Sequence, residues 1–215
     1  YLERLMTAYS DNQIAAYVDG AFVNLTKGRV YDSFDRTTSH DHRTDIDKLP
    51  IVIGLDFNVG KLCAAIGVQI GKDRIHFFDE IVLRNSDTFQ MAEALSRKYP
   101  GARVFPDPAG SARHTSSTKS DHQILRDYGL TVIARKAHPP VRGRVNAVNG
   151  KLRTRQMTVD VLKCKEISVD LERVVWKGSD IDKTDTERTH MSDAMGYAVE
   201  YLWPINRGFV GSIMR

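Results

Sequence analysis

The sequence predicts an α/β domain in which helices flank a mixed central β-sheet. Three observations carry that expectation. Short, almost wholly apolar runs, residues 51–57 foremost, have the composition of strands buried on both faces. Segments with helical spacing alternate with them. Glycine and proline punctuation falls between the two kinds, at Gly71-Lys72-Asp73, Pro100-Gly101, Gly129 and Pro139-Pro140.

The elements follow in order. Residues 1–48 read differently from the rest: one helix over 11–19 ending at Gly20, then a stretch from Tyr31 to Lys48 rich in Asp, Thr, Ser, Arg and His, expected as a connecting arm rather than core. The body, 49–215, opens with a strand over 51–57 and a turn at Asn58-Val59-Gly60. Strands over 62–70 and 74–83 complete an antiparallel meander. Ser86 or Asp87 can cap a helix reaching Tyr99, with Phe89, Ala92, Leu95 and Tyr99 near helical spacing. A strand over 102–105, a helix over 119–128 and a strand over 130–134 come next. Helices are expected over 141–152, 162–175 and from Ser192 to Leu202, where Pro204 ends the last. The order β-β-β-α-β-α-β followed by helices is that of the ribonuclease H-like fold.

Composition fits one ordinary soluble domain with a real core, at 215 residues with 41% hydrophobic and 27% charged side chains. No apolar run approaches the roughly 18 residues that a membrane span needs, and the first residues lack a secretory signal pattern. The chain starts at Tyr1 rather than Met, which is expected of a piece of something longer. Cys63 and Cys164 lie in apolar segments and are expected as buried free thiols in a reducing compartment. The net charge is +4, and its distribution says more. Between Arg135 and Arg155 stand seven Lys/Arg (Arg135, Lys136, Arg142, Arg144, Lys151, Arg153, Arg155) and no acid. Such a segment is either a solvated face or a surface that tracks phosphates.

Three acids punctuate elements. Asp56 sits in the first apolar strand, where an unpaired charge is costly. Asp107 follows the fourth strand between Pro106 and Pro108, and Asp193 lies in the first turn of the last helix. In this order of elements the first and fourth strands are neighbours and the last helix crosses them, so the three acids can meet. Clustered carboxylates raise one another's pKa, and Mg²⁺ or Mn²⁺ relieves that repulsion. Two ions, with Asp56 bridging and Asp107 and Asp193 each completing one shell, could hydrolyse a phosphodiester. Each acid also has a plainer reading. Asp56-Phe57-Asn58-Val59-Gly60 is similar to an actin-type phosphate loop, Asp107 suits a turn, and Asp193 suits a helix dipole. Glu80 and Asp79 compete as ligands, Glu80 as an outer group. Asp180, Asp182, Asp185 and Glu187 form a solvated loop or a lid that orders on DNA. Among the histidines (His40, His42, His76, His114, His122, His138, His190) no zinc spacing with cysteine occurs. His190 is placed to reach the site as outer ligand or proton shuttle, or else is a surface residue. No phosphate-binding Gly-x-x-x-x-Gly-Lys-Ser/Thr motif is present, so ATP hydrolysis is not expected.

Four segments occur in a familiar order: Ile53-Gly54-Leu55-Asp56-Phe57, Val104-Phe105-Pro106-Asp107-Pro108-Ala109, the run Val141 through Asn149, and Thr189-His190-Met191-Ser192-Asp193-Ala194-Met195-Gly196-Tyr197. Together they resemble the C-terminal nuclease domain of the terminase large subunit of tailed double-stranded DNA phages. Residues 16–23 resemble the connector that follows the ATPase domain there. The resemblance implies a ribonuclease H-like fold, metal ligands at Asp56, Asp107 and Asp193, and cutting of concatemeric double-stranded viral DNA with little sequence specificity. It gives the basic segment a duplex-backbone role, through Arg142, Arg144, Lys151, Arg153 and Arg155. It further implies a small terminase subunit, a portal and a procapsid as partners of the whole protein, the cytoplasm of an infected bacterium as its place, and a monomeric isolated domain. The second family acid varies in type and position, which bears on Asp107. The alternatives are another nuclease of the same fold (junction resolvase, transposase or ribonuclease H), a DNA-binding or docking module without activity, and an actin-like kinase domain.

Overall fold

A computed structural model describes residues 28–58, 60–112 and 118–205. The helix expected over 11–19, the segment 16–23 and His114 lie outside the described residues. Strands β1 (Ile51–Asp56), β2 (Lys61–Ile70) and β3 (Arg74–Arg84) form the expected antiparallel meander. Helix α1 (Thr88–Lys98) and strand β4 (Arg103–Pro106) follow, then α2 (Asp121–Asp127) and β5 (Thr131–Val132). Helix α3 (Val141–Arg153), strand β6 (Met157–Val159), helix α4 (Lys165–Arg173), strands β7 (Trp176–Lys177) and β8 (Asp180–Ile181) and helix α5 (His190–Leu202) complete the described chain.

The six-stranded sheet runs β5-β4-β1-β2-β3-β6, with β7 and β8 as a separate hairpin. The β5–β4, β4–β1 and β3–β6 pairs are parallel and the other two antiparallel, so the sheet is mixed. Alternation along β1 splits the core in two. Ile53 and Leu55 join Met91, Leu95, Ile124 and Leu125 from α1 and α2. Val52 joins Val148, Leu171, Ala194 and Ala198 from α3, α4 and α5 on the other face. A sheet covered on both faces needs strands apolar on both, which is why residues 51–55 read as one continuous run.

Several expectations change in detail. Phe89 is 46% exposed. The buried stripe of α1 is Thr88, Met91, Ala92 and Leu95, with Asp87 as a capping-box N-cap. The helix expected over 162–175 starts at Lys165, because the Asp160 carboxylate accepts the amides of Leu162 and Lys163 and closes a turn first. Residues 31–48 do not lie apart from the core. Val30, Tyr31 and Phe34 are buried in it, Arg29 bridges to Val175 and His40 to Val159. A segment rich in polar residues can still anchor on a few apolar ones.

Helix α5 crosses β1 at very close range. A Cβ added at Gly54 would stand 2.0 Å from the Ala194 carbonyl oxygen. Only a glycine in the strand allows this approach, and it sets the first turn of α5 beside the end of β1.

Candidate active site at the carboxyl end of the sheet

Asp56 is the last residue of β1, and Asp107 directly follows β4. The strands are parallel neighbours with Leu55 opposite Pro106, and the Asp107 amide donates to the Leu55 carbonyl at 2.8 Å. Both acids therefore leave the sheet at the same end of adjacent strands. Asp193 lies in the first turn of α5, next to the Ala194 carbonyl that touches Gly54. Asp56 is 7% exposed and Asp193 4%. Burial holds the Asp56 carboxyl above the usual range against its bond to His190, and the charges of Asp193 and Asp107 push the same way. The three sequence-predicted aspartates thus share one electrostatic environment.

Each is held by a different group. His190 Nδ1 lies 3.0 Å from Asp56 Oδ2, while its Nε2 faces Asn58 Nδ2 at 2.7 Å and the Thr186 carbonyl at 3.1 Å. The bond to Asp56 favours the charged imidazole and raises its pKa. Asp107 Oδ1 accepts the Ala109 amide at 2.8 Å and caps the short 3-10 helix Pro108–Ser111, so it also does what its plainer reading required. His138 Nδ1 stands 3.3 Å from the same oxygen. Asp193 Oδ1 receives Arg144 Nη2 at 2.5 Å, and Lys183 Nζ lies 3.8 Å from its Oδ2.

Arg144 departs from its expected place. It is 4% exposed, paired with Asp193, with its guanidinium 4.7 Å from the Tyr197 ring centroid. It cannot serve a solvent-facing phosphate surface. The other four basic residues remain at or near the surface, with Arg155 exposed, Arg142 over Trp176, and Lys151 over Trp203 while donating to the Asp73 carbonyl. Arg153 donates to Ser33 Oγ at 3.2 Å. Glu80 is also not where an outer ligand would be. Its carboxylate accepts the amides of Glu166 and Ile167 and caps α4. Asp79 is taken by Lys98 and the Tyr99 hydroxyl. The loop 182–189 is fastened on one side by Lys61, which donates to Glu166 Oε2 and the Glu187 carbonyl, and by the Arg84–Glu187 pair.

Sequence reasoning passed over three positioning residues. Asp170 on α4 accepts the amides of Met191 and Ser192 at 3.1 and 3.0 Å and so fixes the N-terminus of α5. His122 Nε2 donates to the Asp107 carbonyl at 2.8 Å, and burial lowers the pKa of its ring. Lys183 is the third. None carried a local motif, because each acts on a partner supplied by another element.

Among the described residues no three His, Cys, Asp or Glu side chains stand so that they could hold one ion as placed. Arg144 and the Ala109 amide occupy oxygens of two of the acids. The donor set itself is three carboxylates, two of them buried, the chemistry that hard divalent cations take.

No protein-family model matches the chain, and no curated protein does. Solved structures do. The large terminase of a thermophilic bacteriophage superposes with TM-score 0.73 and 18% identity, over 93% of this chain and 50% of that one. The large-terminase (g2p) nuclease domain of bacteriophage SPP1 with bound Mn gives 0.55 and 19%, over 75% and 93%. The P22 large-terminase nuclease domain gives 0.63 and 14%, over 83% and 93%. This chain spans about half the length of the thermophilic phage protein. Sheet order, helix placement and these superpositions agree: the chain has the ribonuclease H-like fold of phage large-terminase nuclease domains.

Proposed function

We propose that this chain is a divalent-metal-dependent endonuclease acting on double-stranded DNA, the nuclease part of a viral packaging terminase. What supports the reading is that Asp56 and Asp107 leave neighbouring parallel strands at one end of a sheet with the terminase nuclease fold, with Asp193 in the first turn of the helix that crosses β1. Asp56 would be the shared ligand, with Asp107 and Asp193 completing the set. Mg²⁺ or Mn²⁺ held there, two ions in the fullest form of the proposal, supplies polarisation of the phosphodiester and a more acidic water. The Mn bound to the SPP1 domain supports this choice of metal.

The chain's own residues prepare the site. His190, donating from Nδ1, keeps the Asp56 Oδ2 lone pairs directed, and its bond to that carboxylate favours its charged form. Arg144 neutralises one oxygen of Asp193 inside the domain, so only the outer oxygen remains for a ligand. Arg142, Lys151, Arg153 and Arg155 would contact backbone phosphates without reading bases. In the whole protein, cutting of concatemers in the infected host cell, with a small subunit, portal and procapsid as partners, follows from the same reading. Residues 1–48 would then include the segment that joins an ATPase domain, anchored in the core by Val30, Tyr31 and Phe34.

The deciding experiment is Asp56→Asn in a plasmid-nicking assay with Mn²⁺, folding checked by circular dichroism. Loss of nicking by about 100-fold or more is expected, the scale of several kcal/mol of transition-state stabilisation. Undiminished cleavage by a folded variant overturns the assignment.

A further inference from the structure

The two oxygens of the Asp193 carboxylate meet two cations of opposite character. Arg144, on Oδ1, is built in: it lies under Tyr197 and fills the room left by Gly196, where a Cβ would come within 2.7 Å of its Cγ. Lys183, near Oδ2, follows β8 with its side chain 64% exposed, and its 3.8 Å separation is that of an ion pair without a hydrogen bond. Arg144 cannot leave without stranding a buried charge. Lys183 can, because its own end of the pair is exposed, it makes no hydrogen bond at 3.8 Å, and the lysine stem is flexible.

We propose that Lys183 is the exchangeable counter-cation of the site, screening the outer oxygen of Asp193 until a divalent ion takes that position. Resting on Asp193 as a ligand, the proposal adds that the freed ammonium then turns to a DNA phosphate. The carboxylate is thereby divided: its inner oxygen is permanently neutralised, its outer one is lent to a side chain that can be displaced. Lys183 is a positioning residue in this scheme, and its loss acts in opposite directions on the two ligands. Removing a nearby positive charge strengthens cation binding, while removing a phosphate partner weakens binding of DNA.

The test compares the full chain with Lys183→Gln and Lys183→Arg. Mn²⁺ affinity is read by electron paramagnetic resonance of the free ion at low salt without DNA. Duplex affinity is read separately in Ca²⁺. Lys183→Gln should bind Mn²⁺ roughly three- to tenfold more tightly, a gain that shrinks as salt screens the removed charge. It should bind duplex more weakly, with a salt dependence reduced by about one phosphate contact. Lys183→Arg should resemble the parent in both. Equal or weaker Mn²⁺ binding by a folded Lys183→Gln overturns the proposal while leaving Asp193 as a ligand, provided that Asp193→Asn lowers Mn²⁺ affinity. If the parent chain binds Mn²⁺ no better than Asp193→Asn, both the exchange scheme and the metal role of Asp193 fall.

Discussion

At the scale of single residues, the Arg144–Asp193 pair decides most. Both side chains are almost fully buried, and they come from positions 49 apart in sequence. Replacing one partner leaves the other as an uncompensated buried charge, which typically costs about 3–5 kcal/mol, whereas removing both charges is often close to neutral. Arg144→Met should therefore lower stability by about that amount, and Arg144→Met with Asp193→Asn should recover most of it. Urea midpoints for the four proteins check this. A single substitution costing well under about 1 kcal/mol would mean that the pair is solvated like a surface one. The sequence concealed this because a run of basic residues carries no information about burial. Helical geometry held a partial clue: residues two apart point about 200° apart around a helix, so Arg142 and Arg144 could not share one phosphate-facing side. With Val145, Val148 and Leu152 as the buried stripe, Arg144 falls on the inner side.

At the scale of elements, the site depends on how α5 seats on β1. The Ala194 carbonyl occupies the space where a side chain at Gly54 would begin, and Asp170 on α4 pins the first amides of the helix. Gly54→Ala forces backbone apart, since the obstructing atoms are main chain rather than the end of a flexible side chain. Overpacking of this kind costs about 1–3 kcal/mol, and the expected result is a lower urea midpoint together with weaker Mn²⁺ binding as Asp193 moves away from Asp56. A Gly54→Ala protein as stable as the parent would show that the close crossing is not required. Long elements were legible: β1 to β3, α1, α3 and α5 were visible because periodicity needs several residues to express itself. Strands β6, β7 and β8, of two or three residues, were not. Their identity comes from partners such as Ile75 opposite Met157, which is tertiary information. Gly54 within an apolar run was a readable signal of close approach that periodicity alone passes over.

At the scale of the whole molecule, the fold class was legible from element order, and so was the neighbouring placement of Asp56 and Asp107, because parallel neighbours β1 and β4 put their carboxyl ends side by side. Buried titratable groups were not, and they govern how the domain responds to acid. Burial lowers the His76 pKa from 6.5 to about 4; its Nδ1 bonds Thr158, and its Nε2 has no partner among the described residues. Burial raises Asp170 from 3.8 to about 6, against the amides and Arg188 that favour its charge. The signs oppose. Between pH 6.5 and 4 the unfolded chain protonates His76 while the native one does not, so stability falls as pH falls through that window. Between pH 6 and 3.8 the native state protonates Asp170 first, so stability rises as pH falls. His76→Gln removes the first contribution and leaves the second. Relative to its own value at pH 7, the variant should gain on the parent by about 1–3 kcal/mol by pH 4.5, the upper end corresponding to a shift of roughly two units. Urea midpoints of both proteins at about pH 7, 5.5 and 4.5 measure the difference directly and cancel the remaining carboxylates. Parallel pH profiles would show that His76 titrates alike in the folded and unfolded chains, and that a buried imidazole with a bare nitrogen is not what makes this domain sensitive to acid.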